Sequence, residues 1–142
     1  MITRAIKKAF RRMKDKQWEC TYWAIDVHET IVLPNWSADK IPTDFYPHAK
    51  ETLQLISKQA DIVMIMYTCS HPPEIQQYLK FFQSHDIHFK YVNENPEVIN
   101  MKYGNYDKKP YFNVLFEDKA GFEATEDWSL VLDLIKAERG AS

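Results

Sequence analysis

An aspartate, two hydroxyls, two lysines and two adjacent acids stand beside the most apolar stretches of this chain. Asp26 ends the run Tyr22-Trp23-Ala24-Ile25, and Thr68 and Ser70 follow Ile62-Val63-Met64-Ile65-Met66-Tyr67. Glu117 and Asp118 follow Phe112-Asn113-Val114-Leu115-Phe116, while Lys108 and Lys109 stand just before Pro110 and that same run. The runs lack the alternation of a half-exposed strand, which predicts strands buried on both faces of a parallel sheet. The groups after them then lie at the carboxyl edge of an open α/β sheet, where loops diverge and ligands bind. A carboxylate is an unprotonated nucleophile near pH 7, and a divalent cation held by neighbouring acids screens it from a phosphate's negative charge. These residue types suit phosphoryl transfer to a side chain.

The order aspartate, hydroxyl, lysine, acidic pair, each at a strand end or entry, resembles the four motifs of the haloacid dehalogenase superfamily over residues 18–138. The resemblance implies that Asp26 attacks phosphorus to form an aspartyl-phosphate and also binds Mg²⁺. It implies the backbone carbonyl of His28 as a further metal ligand, with Glu117 and Asp118 completing a set of the hard oxygens that Mg²⁺ prefers. Either member of the acidic pair meets the requirement for direct ligation. Thr68, with Ser70 as fallback, matches the hydroxyl that binds a phosphoryl oxygen. Lys109, or Lys108 in another register, matches the lysine that neutralises the phosphate. Apart from the resemblance, the acids read as a solvated turn and the lysines as solvated loop charges.

One position departs from the pattern. Family phosphatases usually carry a second aspartate two residues after the nucleophile, where i and i+2 point the same way and the acid can protonate the leaving oxygen. This chain has His28 there. An imidazole beside a cation and a lysine is a poor proton donor, so weak turnover, or a binding role without catalysis, is expected. The stretch keeps the motif's threonine as Thr30 and has Glu29 where glycine is usual.

Around these groups the pattern predicts strands at 18–26, 61–67, 87–92 and 112–116, and helices at 2–14, 47–58, from Pro72-Pro73 onward, and from Thr125 to near Gly140. Alternating strands and helices predict the α/β class: a three-layer sandwich whose central parallel sheet of four or five strands carries helices on both faces. The resemblance places the last strand, the first, the second and the third side by side. The flap at 30–47 is too short for a cap domain, so the site is expected to be open. Among capless relatives an open site suits macromolecules, or small phosphates enclosed by an oligomeric neighbour or a loop. The tyrosines of Tyr103-Gly104-Asn105-Tyr106, in the long polar segment 93–109, are candidates for such a wall.

A chain of 142 residues, 45% apolar and with three glycines, is that of one globular domain. Cys20 and Cys69 have no metal or redox spacing, which predicts reduced thiols in a cytoplasmic protein. His85 and His88 lack further ligands and read as surface histidines. No apolar run approaches the roughly 20 residues that span a bilayer. Charge divides the chain, because residues 1–17 carry seven basic groups against Asp15, a net of +6, and the remainder carries −8.

The opening segment forms a basic amphipathic helix with Ile2, Ile6, Phe10 and Met13 on one side, set against a domain at 18–142. It is expected to dock an anionic membrane, nucleic acid or an acidic partner, or to pack on its own acidic domain; a mitochondrial presequence is a minor alternative. Removing residues 1–16 is expected to leave the fold intact. Together these readings give a Mg²⁺-dependent phosphohydrolase acting on a phosphorylated small molecule such as a nucleotide, or on a nucleic-acid end. The alternative is a catalytically weak protein of the same fold that docks an anionic partner through its helix.

Overall fold

The computed structural model describes residues 1–139. Four strands, β1 (Thr21–Ile25), β2 (Ile62–Met66), β3 (Tyr91–Val92) and β4 (Val114–Phe116), form one sheet in the order β3-β2-β1-β4. All the pairings are parallel, with Trp23 beside Met64 and Val114, and Ile25 beside Met66 and Phe116. Four helices accompany them: α1 (Ile2–Asp15), α2 (Ala49–Ser57), α3 (Pro72–Gln83) and α4 (Asp127–Arg139). The protein is therefore an α/β sandwich around a parallel sheet, with the strand order the motifs imply.

Side chains alternate across a strand, so Trp23, Ile25, Met64, Met66, Val114 and Phe116 share one face. They form a continuous buried cluster with Ile6 of α1, Leu53 and Ile56 of α2, Tyr78 and Phe82 of α3, and Trp128 and Ile135 of α4. Phe116 stacks on Trp128 with ring centroids 5.5 Å apart, and Trp23 lies 5.6 Å from Phe116 and 5.7 Å from Phe10.

The opposite face carries Tyr22, Ala24, Val63 and Ile65. Its covering layer comes from the long segment between β3 and β4, in which no regular helix forms. Tyr111 packs edge-on against Tyr22 at 6.1 Å, Phe112 against Tyr67 at 6.0 Å, and Glu97 accepts hydrogen bonds from the hydroxyls of Tyr22 and Tyr91. A right-handed return from β3 across the sheet to β4 has to pass on this side, opposite α2 and α3.

Each strand is shorter than the apolar pattern suggests, and for β1 and β3 the reason is identifiable. The amides of Lys16 and Trp18 still donate to Arg12 and Met13, closing α1, so β1 starts only at Thr21. Ile87 donates to Phe82 at the end of α3 and His88 to the Ser57 hydroxyl, which leaves Tyr91 and Val92 for the ladder. The glycine expected near the end of α4, Gly140, lies outside the described residues.

The apolar side of α1 is part of the core. Ile2, Ile6 and Ala9 are buried in the shared cluster, and the Arg139 guanidinium sits over the Phe10 ring at 4.6 Å while pairing with Asp61 at 2.8 Å. This corrects the expectation that residues 1–16 can be removed without harm, because their loss would uncover Trp23 and β4. No helix among the described residues is long and apolar enough to cross a membrane. Ile6 is fully buried, so Ile6→Ala should destabilise the protein by about 2–5 kcal/mol, read as a lower urea midpoint, and deletion of residues 1–16 should abolish cooperative unfolding. Unchanged midpoints in both would mean that α1 is not packed on the sheet.

Candidate functional site

Parallel strands in register bring their carboxyl ends to one edge. The last rungs there are Asp26 N–H to the Phe116 carbonyl and Tyr67 N–H to the Ile25 carbonyl, each 2.9 Å. The residues that follow line a cleft of about 420 Å³, among them Asp26, His28, Thr68, Ser70, Glu117 and Asp118. Carboxylate oxygens of Asp26, Glu117 and Asp118 all lie within 4.8 Å of one another.

The turn after β1 aims these groups. The Val27 carbonyl accepts from the Ile31 amide at 2.9 Å, and Glu29 adopts the left-handed conformation with φ 59°. A glycine would hold that conformation without strain, whereas a glutamate adopts it at some cost. The turn buries Thr30, whose hydroxyl donates to Asp26 Oδ2 at 3.1 Å and accepts from the Asp118 amide at 3.2 Å. The Trp128 indole N–H in turn holds the Thr30 carbonyl at 2.7 Å. A 3-10 turn over Asp118–Ala120 begins with the Lys119 amide donating to Glu117 Oε1 at 3.2 Å.

Burial, with smaller repulsion from Glu117 and Asp118, pushes the Asp26 carboxyl up to about 6, against the opposing hydrogen bonds from Thr30 and the Val27 amide. Three clustered carboxylates with one partly desolvated make a hard-oxygen donor set that fits Mg²⁺, and a divalent cation held among them would reverse the cost of ionising Asp26.

Across the cleft, the Thr68 hydroxyl is 2.9 Å from that of Ser70 and accepts from the Ser70 amide at 3.1 Å. The side-chain amide of Asn93 fixes the Thr68 backbone from both sides, accepting from its N–H at 2.9 Å and donating to its carbonyl at 2.7 Å. Nothing in the local pattern signalled Asn93, because its partner is 25 residues away.

His28 is held from behind. Its Nε2 is hydrogen-bonded to the hydroxyl of buried Tyr78, and the two rings meet edge to face at 5.4 Å. Burial pushes Tyr78 up to about 12, so the phenol keeps its proton; it donates to Nε2 in the tautomer that carries the ring proton on Nδ1, and accepts from Nε2–H in the other.

The expected lysines are not brought to this cleft. Lys108 and Lys109 line a separate hollow with Asn105 and Asp107, near the end of the segment that enters β4 from its amino end. Lys119 lines the Asp26 cleft instead. Its signal in the sequence was its place directly after the acidic pair. The tyrosine wall is also elsewhere, since Tyr103 is exposed and Tyr106 packs 5.5 Å from Tyr111, lining a cavity with Trp18 and Tyr22.

No family model matches the chain, and no curated protein matches it in sequence. A solved structure of a conserved protein from Bacteroides thetaiotaomicron is similar to it with a TM-score of 0.63, covering 84% of this chain and 93% of its own, at 18% identity. At that identity the likeness is one of fold, and it agrees with the parallel α/β architecture.

The raised carboxyl of Asp26 gives a signed pH dependence for metal-free protein. A folded-state value of about 6 lies above the ordinary 3.8, so the folded state holds the proton more tightly. The associated stability is present below the lower value and lost as pH rises through the upper one. With chelator present, Asp26→Asn should be more stable than wild type at pH 7.5 by about 1 kcal/mol, after discounting for solvent screening. The gap should close by pH 4. Melting curves at the two pH values check this, and an equal gap at both would contradict it.

Proposed function

We propose that this chain is a Mg²⁺-dependent phosphohydrolase of the haloacid dehalogenase type, with Asp26 as nucleophile. The observation that carries the reading is the convergence of the Asp26, Glu117 and Asp118 carboxylates within 4.8 Å, in a cleft shared with the Thr68 hydroxyl. Asp26, Glu117 and Asp118, with the His28 carbonyl, would hold the cation, which when bound offsets the negative charges of the acids and the phosphate.

The remaining work falls to the chain's own groups. An Asp26 oxygen attacks phosphorus as the bond to the leaving oxygen breaks, giving an aspartyl-phosphate. Water then attacks that phosphorus, releasing inorganic phosphate and regenerating the carboxylate. Thr30 restrains the Asp26 carboxylate through its bond to Oδ2, so little reorientation is needed before attack. The Thr68 hydroxyl can turn from Ser70 to a phosphoryl oxygen, because Ser70 offers both a hydroxyl and an amide as alternative partners. Lys119 supplies the positive charge that the motif order assigned to Lys109.

Protonation of the leaving oxygen is the weak point. With Nε2 engaged by Tyr78, only Nδ1 of His28 is left to serve a leaving oxygen. This favours good leaving groups, and it is the observation that supports the alternative of a binding protein with little turnover.

A phosphatase panel with Mg²⁺ should show weak, chelator-sensitive hydrolysis that Asp26→Asn reduces by at least a thousandfold; persistence of turnover in that variant would remove Asp26 as nucleophile. His28→Asp should raise turnover of alkyl phosphates more than that of aryl phosphates. It should also destabilise the fold by about 1–3 kcal/mol by leaving the Tyr78 hydroxyl unpaired, a loss that Tyr78→Phe added to it should recover. If His28→Asp leaves every substrate unchanged, position 28 takes no part in the chemistry.

A further inference from the structure

Arg4, Lys7, Lys8, Arg11, Arg12 and Lys14 are all exposed on α1, and among the described residues none of them is ion-paired with an acid. At 100° per residue they fall on the side of the helix opposite Ile2, Ile6 and Ala9. The rest of the chain is net −8, so this stripe is a confined positive surface on an acidic body. Its apolar counterpart is already committed to the core, which removes the means by which an amphipathic helix inserts into a bilayer.

The stripe also has a direction. The amino end of α1 lies against the turn that carries the site's acids: Met1, Ile2 and Ala5 line a small hollow with Leu115, Ala120 and Phe122. A Cβ placed on Gly121 would stand 3.4 Å from the Met1 side chain. Lys119, on the same turn, lines the Asp26 cleft. From Lys14 to Arg4 the stripe covers about 15 Å, and its Arg4 end is the one nearer the turn that carries Lys119.

We propose that α1 is a track for a nucleic-acid backbone, and that it delivers the terminal phosphate of the bound strand to Asp26. The second half rests on the phosphohydrolase reading above. A row of cations along one side of a helix matches a run of backbone phosphates and carries no sequence preference. The acidic surroundings confine a polyanion to the row and orient it along the helix.

The test uses the full chain with Mg²⁺ and a short single-stranded oligodeoxynucleotide, phosphorylated at its 5′ end or at its 3′ end. Contact with about four phosphates gives a slope near −3 for log affinity against log salt, at about −0.7 per phosphate. Replacing Lys7→Gln, Lys8→Gln, Arg11→Gln and Arg12→Gln together should weaken binding at least tenfold and flatten that slope, with the melting temperature unchanged. The same variant should raise KM for one of the phosphorylated oligonucleotides at least tenfold while leaving kcat, and KM for a mononucleotide, unaltered. Asp26→Asn should bind the oligonucleotide and not turn it over.

Equal affinity of wild type and the fourfold variant would overturn the track, as would tighter binding to phosphatidylserine vesicles or to polyglutamate than to the oligonucleotide. Salt-sensitive binding through α1 with no turnover of either oligonucleotide or mononucleotide would instead overturn the delivery step together with the Asp26 chemistry, so the two failures are distinguishable.

Discussion

A single buried hydroxyl ties the working edge of this sheet together. Thr30 donates to the Asp26 carboxylate and accepts from the Asp118 amide, so the end of β1 and the end of β4 are joined through one oxygen. Both bonds exist only because the turn at 27–30 passes through a left-handed Glu29 and folds back toward β4. The indole of Trp128 fixes the same residue through its carbonyl, and that ring is stacked on Phe116. Site geometry and core packing are therefore one system, in which a shift of α4 would be felt at the carboxylates.

The arrangement concentrates charge that the fold alone does not balance. Asp26 is partly desolvated beside two further acids, and its carboxyl is pushed up to about 6. Such a cluster is unfavourable without a cation and would be favourable with one. The imbalance is reversed on α1, which presents a basic row that forms no ion pair among the described residues and whose apolar side helps to close the core. The amino end of α1 lies beside the turn over Asp118–Ala120.

Much of the fold was legible because burial on both faces leaves an unmistakable pattern. The runs ending at Ile25, Met66 and Phe116 became strands, and the stripe Trp128, Val131, Leu132, Ile135 became the inner face of α4. Asp26, Thr68, Glu117 and Asp118 could be named because strand ends in a parallel sheet share an edge. What could not be read depends on contacts distant in sequence. Asn93 reaches Thr68 across β3, Tyr78 reaches His28 from α3, and the segment before β4 carries Lys109 to another hollow while Lys119 lines the cleft. The amphipathic pattern of α1 was clear, but periodicity cannot say whether an apolar face meets a membrane, a partner or the chain's own sheet.

The central claim is that Asp26, Glu117 and Asp118 form one divalent-cation site, and calorimetric titration of metal-free protein with MgCl₂ at pH 7 tests it most directly. The account predicts saturable binding of one ion per chain, lost in a variant combining Glu117→Gln with Asp118→Asn that still unfolds cooperatively. Absence of binding to the wild type, or undiminished binding to that variant, would contradict it.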